Sequence, residues 1–243
     1  MALKNFVLLH GGAAGSWIWR PVEEILLKNG HNVLSVTFTG CAERRHLNGK
    51  DVTQETHAAD VVNAIEFAQM SDIVLVGHSY SGSVIPSVLR DIPEKIKQVI
   101  YVDALVLNAG ESVAEAMGFM PAEQCAVVRG MIQRGQVTIS SGVADQQRAQ
   151  AVQAPFLMAE DQQEWMLSLL SEFPASCTVS SVELGAESIT HPVEYIACTE
   201  SDVSGQHQRA RALEWPVTEL HGDHAVMVGN PEGTANILEK LAK

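Results

Sequence analysis

The sequence predicts an α/β protein with an open, doubly wound, mostly parallel sheet. Two observations carry this. Short leucine-rich or β-branched runs alternate along the chain with longer amphipathic stretches. Most of the short runs are apolar throughout instead of alternating, as strands covered by helices on both faces must be.

The candidate strands are residues 6–9, 32–36, 73–76, 99–102, 193–197 and 217–220. The candidate helices are 18–28, 53–69, 79–90, 205–214 and 231–242. Pro231 suits a first helical turn, where its missing N–H leaves nothing unsatisfied. Pro86 stands inside the third helix and predicts a kink. Between about 108 and 190 the rhythm breaks into short helices and loops rich in Met and aromatic residues, which predicts a helical cap inserted between two strands. The chain therefore reads as one domain, 1–243, with a core of about 1–107 and 190–243 and a cap of about 108–189.

Composition narrows the function. The chain has 243 residues, 46% of them hydrophobic, and a net charge of −13. That acidity disfavours a nucleic-acid or anionic-membrane partner. Cys41, Cys125, Cys177 and Cys198 are too scattered for a C-x-x-C pair or a zinc pattern, so free thiols in a reducing compartment are expected. No stretch reads as a signal peptide's apolar core or a membrane span, which predicts a cytoplasmic protein. A homodimer is compatible with the sequence.

The chemistry gathers at strand ends. In Gly77-His78-Ser79-Tyr80-Ser81-Gly82 an apolar run stops on a serine flanked two residues away by small residues. A strand turning sharply into a helix needs those small neighbours, and the serine then projects above the sheet as a nucleophile. Ser81 replaces the usual glycine but is still small. A serine needs a base, and His224 lies where one is expected, between the last strand and the last helix. His221 reads as structural, and Asp223 is too close to His224 in sequence to orient it. For the orienting acid, Asp202 after the fifth strand is favoured and Glu200 is second. Asp103, at the end of the strand 99–102, competes. After the first strand, His10-Gly11-Gly12-Ala13-Ala14-Gly15 lacks both a Walker lysine and G-x-G-x-x-G spacing. It fits an oxyanion hole, with the N–H groups of Gly12 and Tyr80 as donors. His10, His31, His46, His57, His191 and His207 form no metal constellation and read as surface or satisfied core residues. Neither a metal nor an organic cofactor is implied.

These pieces resemble the α/β-hydrolase superfamily, and within it the branch of plant methyl esterases, hydroxynitrile lyases and bacterial relatives. The resemblance rests on FVLLHGGAAGSWIW, GCAERRHL, VGHSYSG, YIACTESD and GDHAVM, in family order along nearly the whole chain. It implies the α/β-hydrolase fold on a six-stranded sheet and a triad of Ser79, Asp202 and His224. The lyases of this branch carry a lysine, a threonine and a glutamate where this chain has Ala225, Gly11 and His78. The resemblance therefore implies serine-dependent hydrolysis of a small, largely hydrophobic carboxylic ester. The alternatives are a lyase, a lactone- or amide-cleaving enzyme on the same triad, and a non-catalytic ligand receptor on this fold.

Overall fold

The computed structural model describes residues 3–137, 142–153, 156–201 and 203–243. Six strands form one sheet: β1 (Asn5–Leu9), β2 (Asn32–Val36), β3 (Ile73–His78), β4 (Ile96–Val102), β5 (Val193–Cys198) and β6 (Val217–Leu220). Their order is β2-β1-β3-β4-β5-β6, and all five pairings are parallel.

Alternate side chains of each strand feed two separate cores. Val7, Leu75, Val99 and Tyr195 face one side, packed against α2 (Gln54–Phe67) and α3 (Ile85–Asp91). Leu8, Val74, Ile100 and Ile196 face the other, packed against α1 (Arg20–Lys28) and the C-terminal helix Pro231–Leu241. Both faces are covered, so a polar residue on either would be buried, which explains the unbroken apolar runs.

The chain adds β2 on one side of β1 and β3 on the other. That reversal opens a crevice at the carboxyl ends of β1 and β3, where ligands bind in open α/β sheets. Register then brings two strand ends side by side. His78 pairs with Val102 across β3 and β4, so the next residues, Ser79 and Asp103, are neighbours at the sheet edge.

Two expected helices begin later than the hydrophobic pattern suggests. The stretch 79–90 is a 3₁₀ turn, Ser79–Ser83, followed by α3, and Pro86 falls in the first turn of α3 instead of kinking it. A 3₁₀ turn likewise precedes α1, whose first turn holds Pro21. In both cases proline sets the helix start, because it has no N–H to give to a preceding turn.

Between β4 and β5 lie α4 (Val113–Ala116), α5 (Ala122–Gln133), α6 (Val143–Gln153), α7 (Glu160–Leu169) and α8 (Ala175–Val179). After β5 come α9 (Ser204–Ala212), α10 (Val226–Gly229) and α11, the C-terminal helix (Pro231–Leu241). No helix among the described residues is long and apolar enough to cross a membrane.

Candidate active site

Ser79 follows β3 directly and holds φ at +53°, a left-handed conformation that non-glycine residues rarely adopt. Its neighbours are small because the turn has no spare volume. A Cβ on Gly77 would lie 2.5 Å from Ile85 Cδ1, and one on Gly82 would lie 2.1 Å from the Leu105 carbonyl oxygen. Ser81 is tolerated in place of glycine because its buried hydroxyl donates to the carbonyl of His78 at 2.8 Å.

His224 Nε2 is 2.8 Å from Ser79 Oγ, and His224 Nδ1 is 2.6 Å from Asp103 Oδ2. With a carboxylate at Nδ1, the proton of a neutral imidazole sits there, and Nε2 presents its lone pair to the serine. His224 is held from its backbone as well: its carbonyl accepts from His78 Nε2 at 2.8 Å. Burial, and then the proximity of His224, push the His78 imidazole down to about 3, so it is a neutral donor. Asp223 accepts from the N–H groups of Ala225 and Leu157, which ties the histidine loop to the segment between α6 and α7. It does not orient the imidazole.

Asp103 thus places a carboxylate on His224, where the sequence favours Asp202. Asp202 itself lies outside the described residues. Asp103 ends β4 as Ser79 ends β3, with φ at +48°, and is fully buried. Its Oδ2 also accepts from Ser201 Oγ at 2.5 Å; its Oδ1 accepts from His207 Nε2 at 2.6 Å and from the Cys198 N–H at 3.2 Å. Burial opposes the charge, but the hydrogen bonds from His207 and His224, the charge of His224 and the Ser201 bond outweigh it. They hold the carboxyl well below the usual carboxylate range. His207, which the sequence gives no reason to single out, is therefore part of the site. The one signal available was that aspartate tolerates the left-handed conformation better than most residues, which suits Asp103 to a strand end.

The loop after β1 is fixed from behind. His10 accepts the Phe38 N–H at Nε2, at 3.1 Å, which leaves Nδ1–H to donate to the Gly11 carbonyl at 2.7 Å. Burial pushes this imidazole down to about 4, consistent with a neutral ring of that tautomer. In a trans peptide the N–H points opposite to the C=O. Anchoring the Gly11 carbonyl therefore turns the Gly12 N–H away from His10. A Cβ on Gly11 would come within 2.8 Å of Ser79 Cβ, so this loop lies directly against the serine and excludes a side chain there. Tyr80 is the second residue of the 3₁₀ turn, in the stretch where N–H groups have no partner within the turn. Its hydroxyl donates to His57 Nδ1 at 2.8 Å, and His57 Nε2 donates to the Thr39 carbonyl at 2.9 Å.

Two cavities meet at Ser79, Gly12, Gln147 and His224. The smaller, ≈ 70 Å³, runs toward Ile18, Phe156, Met166 and Ala225. The larger, ≈ 170 Å³, runs toward Leu105, Met117, Phe119 and Phe173. Both are mainly apolar.

Residues 6–237 match the alpha/beta hydrolase family. The chain belongs to that family. A carbendazim hydrolyzing esterase from Nocardioides sp. is 32% identical over 246 residues, covering 99% of each chain. Polyneuridine aldehyde esterase from Rauvolfia serpentina is 26% identical over 111 residues, 45% of this chain and 42% of that one. Among solved structures, an extracellular alpha/beta-hydrolase from a Paenibacillus species superimposes with a TM-score of 0.79, at 24% identity over 99% of each chain. This α/β hydrolase is an esterase-type enzyme, of the carboxylesterase class.

Proposed function

We propose that this α/β hydrolase cleaves small carboxylic esters through Ser79, His224 and Asp103. The observation that carries the reading is the unbroken line from a buried carboxylate through one imidazole to a serine hydroxyl, at 2.6 and 2.8 Å. His224 Nε2 takes the Ser79 proton as Oγ attacks the ester carbonyl; Asp103 orients the ring and stabilises the imidazolium. The N–H groups of Gly12 and Tyr80 receive the tetrahedral oxyanion. The C–O bond then breaks, and the alcohol leaves with the proton from His224. Water, deprotonated by the same histidine, attacks the acyl-Ser79 ester and releases the acid. The requirement is a small-molecule ester with one compact arm and one larger apolar arm, matching the two cavities that meet at the serine. The carbendazim hydrolyzing esterase among its relatives supports placing carbamate esters in the test panel beside methyl and aryl esters.

Ser79→Ala should abolish turnover of an aryl ester while circular dichroism stays that of the folded protein. A serine-directed phosphonate should label Ser79. Near-normal hydrolysis by the variant, or an adduct mapped to another residue, would overturn the reading.

A further inference from the structure

A second imidazole reaches the same carboxylate as His224. His207, buried in α9, places Nε2 2.6 Å from Asp103 Oδ1, on the opposite side from the His224 contact. We propose that His207 is a positioning residue for catalysis, clamping Oδ1 so that Oδ2 stays aimed at His224 Nδ1. The proposal rests on the reading of Asp103 as the acid of the triad.

The physical need is specific. Rotation of a carboxylate about its last torsion has broad minima, so sterics alone do not fix which way its oxygens point. Four donors fill the four acceptor directions of Asp103: His207 and Cys198 on one oxygen, His224 and Ser201 on the other. His207 brings a ring that packing holds from a separate helix. Its ring stands edge-on to Tyr195, with centroids 5.7 Å apart. The preceding residue locks the helix: Gln206 accepts from the Val106 N–H at 2.9 Å and donates to the Ala116 carbonyl at 3.0 Å. The clamp is therefore pinned to the loop after β4 and to α4 of the cap.

His207 also disperses the charge of Asp103. A carboxylate that donates less density to His224 stabilises its imidazolium less, so the clamp should set the basicity of His224 as well as its direction. Besides the two histidines, the titratable groups near Asp103 among the described residues include His78 of β3, held neutral by burial, and Tyr195 and Cys198 of β5, with Asp223 beside Cys198. Burial pushes the tyrosine and the thiol up, so both stay neutral through the working pH range.

The test compares His207→Leu with His207→Gln, which keeps an N–H donor, in kcat, KM and the pH profile of kcat/KM on one aryl ester. His207→Leu should lower kcat about 10-fold to 100-fold, the scale of one lost charge-assisted hydrogen bond. KM should change less than about twofold, since the substrate is not touched. The low-pH limb should move to higher pH, and His207→Gln should recover most of both effects. A limb that does not move, or a loss that glutamine fails to rescue, would reduce His207 to a packing residue and overturn the proposal. Wild-type protein labelled with ¹⁵N-histidine gives a check that needs no variant to fold. Two far-downfield ring protons, one on each imidazole, are expected; a single one overturns the clamp. Asp103→Asn is the control: if it leaves turnover intact, the acid assignment has failed rather than the His207 contact.

Discussion

At the sheet edge, Asp103 has no exposed surface and each of its oxygens takes two donors. Across the cavity, between β4 and β5, Phe119 is 70% exposed and the buried amide oxygen of Gln147 has no hydrogen-bond partner among the described residues. The difference separates two tasks. Groups that move protons must be held to within tenths of an ångström, so they hang from strand ends and are saturated with hydrogen bonds. Groups that choose a substrate must meet something not yet present, and they sit on short helices and the loops between them, with apolar surface to spare.

The largest effect should come from breaking the saturated half at the carboxylate. Asp103→Asn keeps the shape but removes the charge and can reverse the hydrogen bond to His224. A loss on the order of 10⁴-fold in kcat is expected, by the serine-protease precedent. Asp202→Asn should be far milder. Kinetics of the two variants on one ester, if they gave the reverse ranking, would return the acid to the loop after β5.

The next effect is on stability and has a definite sign. His10 and His57 are pushed down by burial to about 4, and His78 by burial and then by His224 to about 3. Between those values and the ordinary 6.5, each ring is neutral when folded and protonated when unfolded. The unfolded chain then binds more protons, so stability rises with pH across this window and is lost on acidification through it. These differences correspond to about 3 kcal/mol each for His10 and His57 and about 5 kcal/mol for His78. Asp103 acts lower down: its folded value is depressed, so its contribution persists above the unfolded carboxylate range, near 3.9, and is lost only below it. Urea midpoints should therefore be level above pH 6.5 and fall steeply between about pH 6 and 4. A flat profile there would mean these rings are not buried neutral.

The sheet half was largely legible in the sequence. Continuous apolar runs gave six strands, and the small residues around Ser79 gave the turn, because both follow from local volume and periodicity. What escaped was choice among partners. Asp103 and Asp202 both sit just past a strand in sequence, and local pattern carries no information about which strand end stands nearer His224. The register of β3 on β4 sets Asp103 beside Ser79, a juxtaposition that neither stretch shows on its own. His207 was illegible for the same reason: a lone histidine near a helix start has no pattern until α9 packs beside β5. Pro86 reads from the sequence as a kink because helical periodicity runs on through the helix start, as it also does around Pro21.

The smallest predicted effect sharpens the contrast within one cavity. Phe119 and Phe173 both line the larger arm, yet Phe173 is buried, edge-on to Tyr80 at 4.7 Å, whereas Phe119 lies open at the rim. Phe173→Ala empties a packed site and should destabilise the fold by about 3–5 kcal/mol. It should also lower kcat for every ester, because Tyr80, whose N–H is proposed to receive the oxyanion, loses its support. Phe119→Ala removes a side chain that water already surrounds, so its stability should change by less than about 0.5 kcal/mol. Its kinetic effect should be confined to binding: kcat/KM for esters with a bulky apolar arm should fall by roughly 3-fold to 10-fold, about the burial of one or two methylene equivalents. Methyl esters with a compact acyl group should be unaffected, since they do not reach the rim. Comparing the two variants on a short and a long ester would expose any error in dividing the site this way. Equal losses on both substrates for Phe119→Ala would place that ring in the rigid half of the site.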